Sequence, residues 1–151
     1  MNDLKRILLV EDSEADIELT LSALAEYKLA NEVVVTRDGA EGLDYLRRQG
    51  PYRMRAEGNP AVVLLDLKMP KVDGLEVLRQ LKSDEKLKTV PVVILTSSRE
   101  EKDLVESYAL GVNAYVVKPV DFTRFLEAIK EVGMFWAVIN HPPPGSVGTD
   151  R

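Results

Sequence analysis

"ILLVEDSEADIELT", residues 7–20, runs from four apolar residues into an acidic pair and then into a stretch with helical spacing. The apolar run, "RILLV" from Arg6 to Val10, lacks polar alternation, as a strand covered on both faces does. Beyond it Ser13 supplies an N-cap, and Ile17, Leu21 and Leu24 recur at offsets of four and three as one buried helical stripe. The same unit recurs along the chain. Further strand-like runs are "EVVVT" (Glu32 to Thr36), "AVVLLD" (Ala61 to Asp66), "PVVILT" (Pro91 to Thr96) and "AYVVK" (Ala114 to Lys118). Asp38, Asp73, Ser98 and Asp121 stand as caps before the helix-like segments that follow. Five strand–helix pairs imply right-handed crossovers and a five-stranded parallel sheet with helices on both faces, an α/β fold.

The remaining stretches set the organisation. "PYRMRAEGNP", Pro51 to Pro60, breaks the rhythm as a loop. Residues 1–141 read as one domain whose last helix is extended. Residues 142–151, "PPPGSVGTDR", read as a flexible tail, because prolines and glycines cannot continue a helix. With 151 residues the chain can bury a sizeable core. Its 25 acids against 20 bases give a net charge of −5, with no basic stripe to follow the phosphates of a duplex, so direct nucleic-acid binding is not expected. Arg47, Arg48, Arg53 and Arg55 read as a solvated basic surface. The absence of cysteine excludes disulfides and thiolate chemistry, and a single histidine, His141, excludes a multi-histidine zinc site. "MNDLKR" leads into an apolar run too short for a secretory signal or a membrane span, so a cytoplasmic location is expected.

In a parallel sheet, ligands bind where the carboxyl ends of the strands converge. Glu11 and Asp12 follow the first run, Asp66 ends the third, Thr96 ends the fourth and Lys118 ends the fifth. Singly, each is ordinary turn or cap chemistry. Together, three carboxylates on one rim raise one another's pKa unless a cation neutralises them. With only carboxylates, carbonyls and hydroxyls on offer, that cation is Mg²⁺. An ammonium opposite completes a place for a phosphoryl group, with an Asp as nucleophile.

"LLVEDSEAD", "LLDLKMPKVDGLEVL", "PVVILTSS" and "GVNAYVVKP", in this order, resemble the receiver domain of two-component response regulators over residues 5–132. The loop before the third strand and the late "GMFWAVINHPPP" are similar to single-domain regulators that work with bacterial and cyanobacterial phytochromes. The resemblance implies a (βα)5 flavodoxin-like doubly wound sandwich and carries roles over residue by residue. Asp66 is the implied phosphoacceptor. Asp12 is expected to bind Mg²⁺ directly, Glu11 mostly through water, with Asp66 and the backbone carbonyl of Lys68 as further ligands. Thr96 and Lys118 are expected to engage the phosphoryl oxygens, Tyr115 to be the aromatic switch, and the Lys118–Pro119 bond to be cis. The implied partner is a sensor histidine kinase, a bacteriophytochrome in the narrower reading. Gly74 is implied to serve the acceptor loop structurally.

The resemblance also weighs the alternatives. A haloacid-dehalogenase-like phosphatase shares the Asp nucleophile and Mg²⁺, but has a second Asp where this chain has Lys68. A flavodoxin-like cofactor binder would need a phosphate loop where "EDSEAD" repels phosphate. A pseudo-receiver would dock without phosphorylation and would not need Glu11, Asp12, Asp66, Thr96 and Lys118 together. The expected protein is therefore not an enzyme beyond taking phosphate from a donor and losing it again. With no second domain in view, output is expected through protein contact or onward phosphotransfer. The final helix carries Ile129, Val132, Phe135, Trp136 and Ile139; the sheet needs the early part of this run, and Phe135, Trp136 and Ile139 extend it towards the proline tail. Phe135, Trp136 and Ile139 either form a homodimer or partner interface, or cover their own core with an extra turn.

Overall fold

The structure, a computed structural model, describes residues 6–25, 33–56, 58–67, 69, 72–96, 106, 108–112, 114–118, 123, 124 and 127. Five strands, β1 (Ile7–Val10), β2 (Val33–Thr36), β3 (Val62–Asp66), β4 (Val92–Thr96) and β5 (Ala114–Val117), form one sheet in the order β2-β1-β3-β4-β5. Every adjacent pair is parallel. Three helices are described: α1 (Glu14–Ala25), α2 (Gly39–Arg47) and α3 (Gly74–Ser83). The doubly wound α/β fold expected from the alternating pattern is the one observed. Of the helices expected after Ser98 and Asp121, Glu106, Tyr108 and Ala109, and Thr123, Arg124 and Glu127, have helical backbone. The expected extension of the last helix, including Phe135, Trp136 and Ile139, and the expected tail at 142–151 lie outside the described residues.

Continuous apolar strands need cover on two sides, and two packed layers provide it. Ile7, Leu9, Val62, Leu64, Val93 and Leu95 point to the face where Ile17 and Leu24 of α1 are buried. Leu8, Val10, Val63, Leu65, Val92 and Ile94 point to the opposite face, against Leu43 and Leu46 of α2 and Val77, Leu78 and Leu81 of α3. Ser13, Asp38 and Asp73 cap their helices as expected, while Ser98 and Asp121 lie outside the described residues. The Asp16 N–H donates to Ser13 Oγ, the Glu41 N–H to Asp38 Oδ1 and the Glu76 N–H to Asp73 Oδ1. None of the described helices is long and apolar enough to cross a membrane.

The segment from Pro51 to Pro60 is a loop, as expected, and its side chains order it. It opens with a 3-10 turn, Gly50–Tyr52, and folds back on α2 around the half-buried Arg55. The Arg55 guanidinium donates to the carbonyls of Tyr45, Ala56 and Gly58 at 2.7, 2.8 and 2.9 Å and lies 4.2 Å over the Tyr45 ring. Arg48 donates to the Arg55 carbonyl, Arg53 to the Gly50 carbonyl, and Arg47 to Gln80 Oε1. Arg48 and Arg53 are exposed, as a solvated basic surface requires, while the half-buried Arg47 and Arg55 also hold the helix end and the loop.

Candidate functional site

Strand register brings the chemistry to one rim. Val10 pairs with Leu65, so Glu11 and Asp66 stand level at the ends of β1 and β3. Asp66 pairs with Leu95, and Thr96 with Val117, so Thr96 and Lys118 follow at the same end of β4 and β5. Tyr115 lies within β5, paired with Ile94. Of Thr96 and Tyr115 the structure describes the backbone; Lys68, Ser98 and Pro119 lie outside the described residues. Gly74 begins α3 and presses on the acceptor strand end: a Cβ there would stand 2.2 Å from the Asp66 carbonyl oxygen. Its N–H donates to the Leu67 carbonyl, so Gly74 serves the acceptor loop structurally, by close approach at the start of α3.

Glu11, Asp12 and Asp66 offer carboxylate oxygens that all lie within 4.8 Å of one another. Glu11 and Asp66 are buried, at 1% and 4% exposure, and Asp12 is exposed. The Glu11 N–H donates to the Thr36 carbonyl, and Glu11 Oε2 accepts the Ser13 N–H at 3.1 Å. Glu11 Oε1 faces the Lys118 ammonium at 2.7 Å as an ion pair. The same ammonium lies 2.8 Å from Asp16 Oδ2 and 3.4 Å from Asp66 Oδ1. A cluster whose candidate ligands are all carboxylate oxygens, two of them from buried residues, suits a hard divalent cation.

The electrostatics follow from this crowding. Burial, then the charge of Glu11, push the Asp66 carboxyl up to about 6, while Lys118 opposes both and Asp12 adds a smaller rise. The expected mutual repulsion of the carboxylates is present, but burial is the larger cause. Burial alone would lower the Lys118 ammonium; hydrogen bonds to Asp16 and Glu11 and the charges of Asp66 and Glu11 outweigh it and hold it above its ordinary value. Asp16 is the site residue that sequence reasoning missed. An acid three residues after a cap serine reads as capping chemistry, and its reach to Lys118, 102 residues on, is visible only in three dimensions.

A family model described as the response regulator receiver domain matches residues 7–130. The chain belongs to the response regulator receiver domain family. The response regulator Rcp1 of Synechocystis sp. is 39% identical over 135 residues, 89% of this chain and 90% of that protein. Its solved Mn(2+)-bound form has a TM-score of 0.73 at 36% identity, covering 94% of this chain and 99% of that one. The bacteriophytochrome response regulator RtBRR is 66% identical with a TM-score of 0.82, covering 95% of this chain and 86% of that one. The phosphorylated cyanobacterial phytochrome response regulator RcpA is 44% identical with a TM-score of 0.74, covering 88% of this chain and 94% of that one. The resemblance to single-domain phytochrome regulators therefore holds in sequence and in fold. The family is one of two-component signalling receivers that work with histidine kinases, not of classical enzymes.

Proposed function

We propose that this receiver takes a phosphoryl group from the phosphohistidine of a bacteriophytochrome-type sensor kinase and carries it on Asp66. The observation that supports this reading is the buried Asp66 carboxylate, placed level with Glu11 and within 3.4 Å of the Lys118 ammonium. Asp66 attacks the phosphorus in line, an Asp oxygen–phosphorus bond forms, and the bond to the kinase imidazole breaks. Glu11, Asp12, Asp66 and the Lys68 backbone carbonyl would hold Mg²⁺, or Mn²⁺ as in the Rcp1 structure. The bound cation supplies charge balance for the phosphoryl oxygens. Lys118 pairs with one of those oxygens and the Thr96 hydroxyl with another. Rotation of Tyr115 then passes the change to the surface, where protein contact, in a homodimer or with a downstream partner, is the output.

The same reading places the protein in the cytoplasm, with residues 1–141 as the receiver and residues 142–151 as a flexible tail. Its only chemistry is its own phosphorylation from a donor and its own dephosphorylation. Incubation with a small-molecule phosphodonor and Mg²⁺ should add one phosphoryl group, about 80 Da by mass spectrometry. The increment should vanish with EDTA or in Asp66→Asn. Label that survives Asp66→Asn would put the acceptor elsewhere. An intact protein that never takes label, from donor or kinase, would instead favour the docking-only pseudo-receiver.

A further inference from the structure

The Lys118 ammonium has three N–H donors, and carboxylates of Glu11, Asp16 and Asp66 face it at 2.7, 2.8 and 3.4 Å. Glu11 and Asp66 belong to the cluster with Asp12; Asp16 stands outside it. A local cause frees Asp16 for this contact. Ser13 caps α1 by accepting the Asp16 N–H at 3.3 Å. In a full capping box the side chain three residues on returns to the N–H of the cap residue. Here the Ser13 N–H is already taken by Glu11 Oε2, and the Asp16 carboxylate turns to Lys118 instead. The neighbouring acid Glu14 is engaged elsewhere, with Arg37 at 3.0 Å.

We infer that Asp16 is a positioning residue: it gives Lys118 a carboxylate outside the cation cluster, so that Lys118 can release Glu11 without losing its counter-charge. The inference rests on the divalent-cation reading above. An ammonium and a divalent cation repel each other at contact range, and the effect is strong where solvent is excluded. Glu11 Oε1 cannot serve both. Among the described residues, a chain without Asp16 leaves Lys118 the cluster carboxylates Glu11 and Asp66 to pair with, and Lys118 competes for them. In this chain the 2.8 Å contact to Asp16 already carries part of that load. Helix α1 is thereby tied to the end of β5 through one ammonium.

The test is a double-mutant cycle on Mn²⁺ affinity, measured by calorimetry on the full chain without phosphodonor. Wild type, Asp16→Ala, Lys118→Ala and the double variant are compared, with circular dichroism and urea unfolding to establish that each is folded. Asp16→Ala should weaken Mn²⁺ binding about fivefold or more, since contacting charges couple at that scale. In the Lys118→Ala background the same substitution should change affinity by less than about twofold, the loss of one partly screened charge. Asp16→Asn, which keeps an acceptor oxygen for the ammonium, should fall between wild type and Asp16→Ala. Equal losses in both backgrounds would make Asp16 a remote attractive charge and overturn the inference. So would an Asp16→Ala variant that binds as wild type does. A wild type that binds no Mn²⁺ at all would remove the cation reading itself, a result distinct from a binding protein with no coupling.

Discussion

The Asp66 carboxyl titrates at about 6 in the folded chain because burial, and then Glu11, oppose its charge more than Lys118 supports it. An ordinary carboxyl in the unfolded chain titrates near 3.8. Native Asp66 therefore holds its proton to higher pH than unfolded Asp66 does, and stability falls as pH rises between those values. The cost is nearly complete above pH 6, on the order of 3 kcal/mol for a shift of this size, in which the opposing Lys118 ammonium is already included. Asp66→Asn, neutral at every pH, should then be more stable than wild type in EDTA at pH 7.5 by that amount. The advantage should shrink towards zero by pH 4, and urea unfolding at the two pH values measures it. An Asn variant no more stable at pH 7.5 would mean that Lys118 compensates the carboxylate in full. The acids themselves were legible in the sequence, because Glu11, Asp12 and Asp66 fall at the ends of apolar runs. Their ranking was not: how far Asp66 is buried depends on Gly74 letting α3 close over the strand end, and no local pattern states that distance.

Strand ends were legible to within a residue, since the unbroken apolar runs leave little room for another register. The caps Ser13, Asp38 and Asp73 were legible for a related reason, being polar residues at the edge of periodic ones. The loop at Pro51 to Pro60 was legible as a loop, but its order was not, because what orders it is a guanidinium aimed at main-chain carbonyls. Those carbonyls belong to every residue alike and leave no sequence signal. Arg55 takes the carbonyls of Tyr45 and Leu46 at the end of α2, where helical partners run out, and stacks on Tyr45. Tyr45 in turn meets Tyr52 edge-on at 5.2 Å, and the Tyr52 hydroxyl donates to Glu41 at 2.6 Å. Arg55→Ala should destabilise the protein by about 2–3 kcal/mol through lost charge-assisted bonds and the lost ring contact. Arg55→Lys should recover little of this, because a point-like ammonium cannot span carbonyls spread around a planar fork. Urea unfolding reads both variants. A fully restored Lys variant would reduce the arginine to a simple charge.

For the whole molecule, parallel alternation predicted the doubly wound sheet, yet not the order β2-β1-β3-β4-β5. The crossover rule fixes handedness, while neighbour choice depends on which faces the helices cover. The distribution of apolar residues over the chain raises the question of assembly. Ile129, Val132, Trp136 and Ile139 recur at offsets of three and four, a single stripe on a helix. Early members of such a stripe suffice to cover a sheet face, and Phe135, Trp136 and Ile139 extend the apolar sequence towards the proline tail. A two-fold pair needs only one self-complementary patch, so a homodimer is the assembly that uses this extension with no second protein. Trp136 would be the anchor of such a pair, because an aromatic side chain at an interface centre often contributes about 2 kcal/mol or more. Sedimentation velocity should find a dimer in the absence of phosphodonor, since the stripe owes nothing to Asp66 chemistry. Trp136→Ala should then raise the dissociation constant about thirtyfold. A monomer at all workable concentrations, with and without phosphodonor, would return these residues to an extended core or to another partner. A dimer indifferent to Trp136→Ala would keep the assembly and move its anchor to Phe135, Ile139 or another surface.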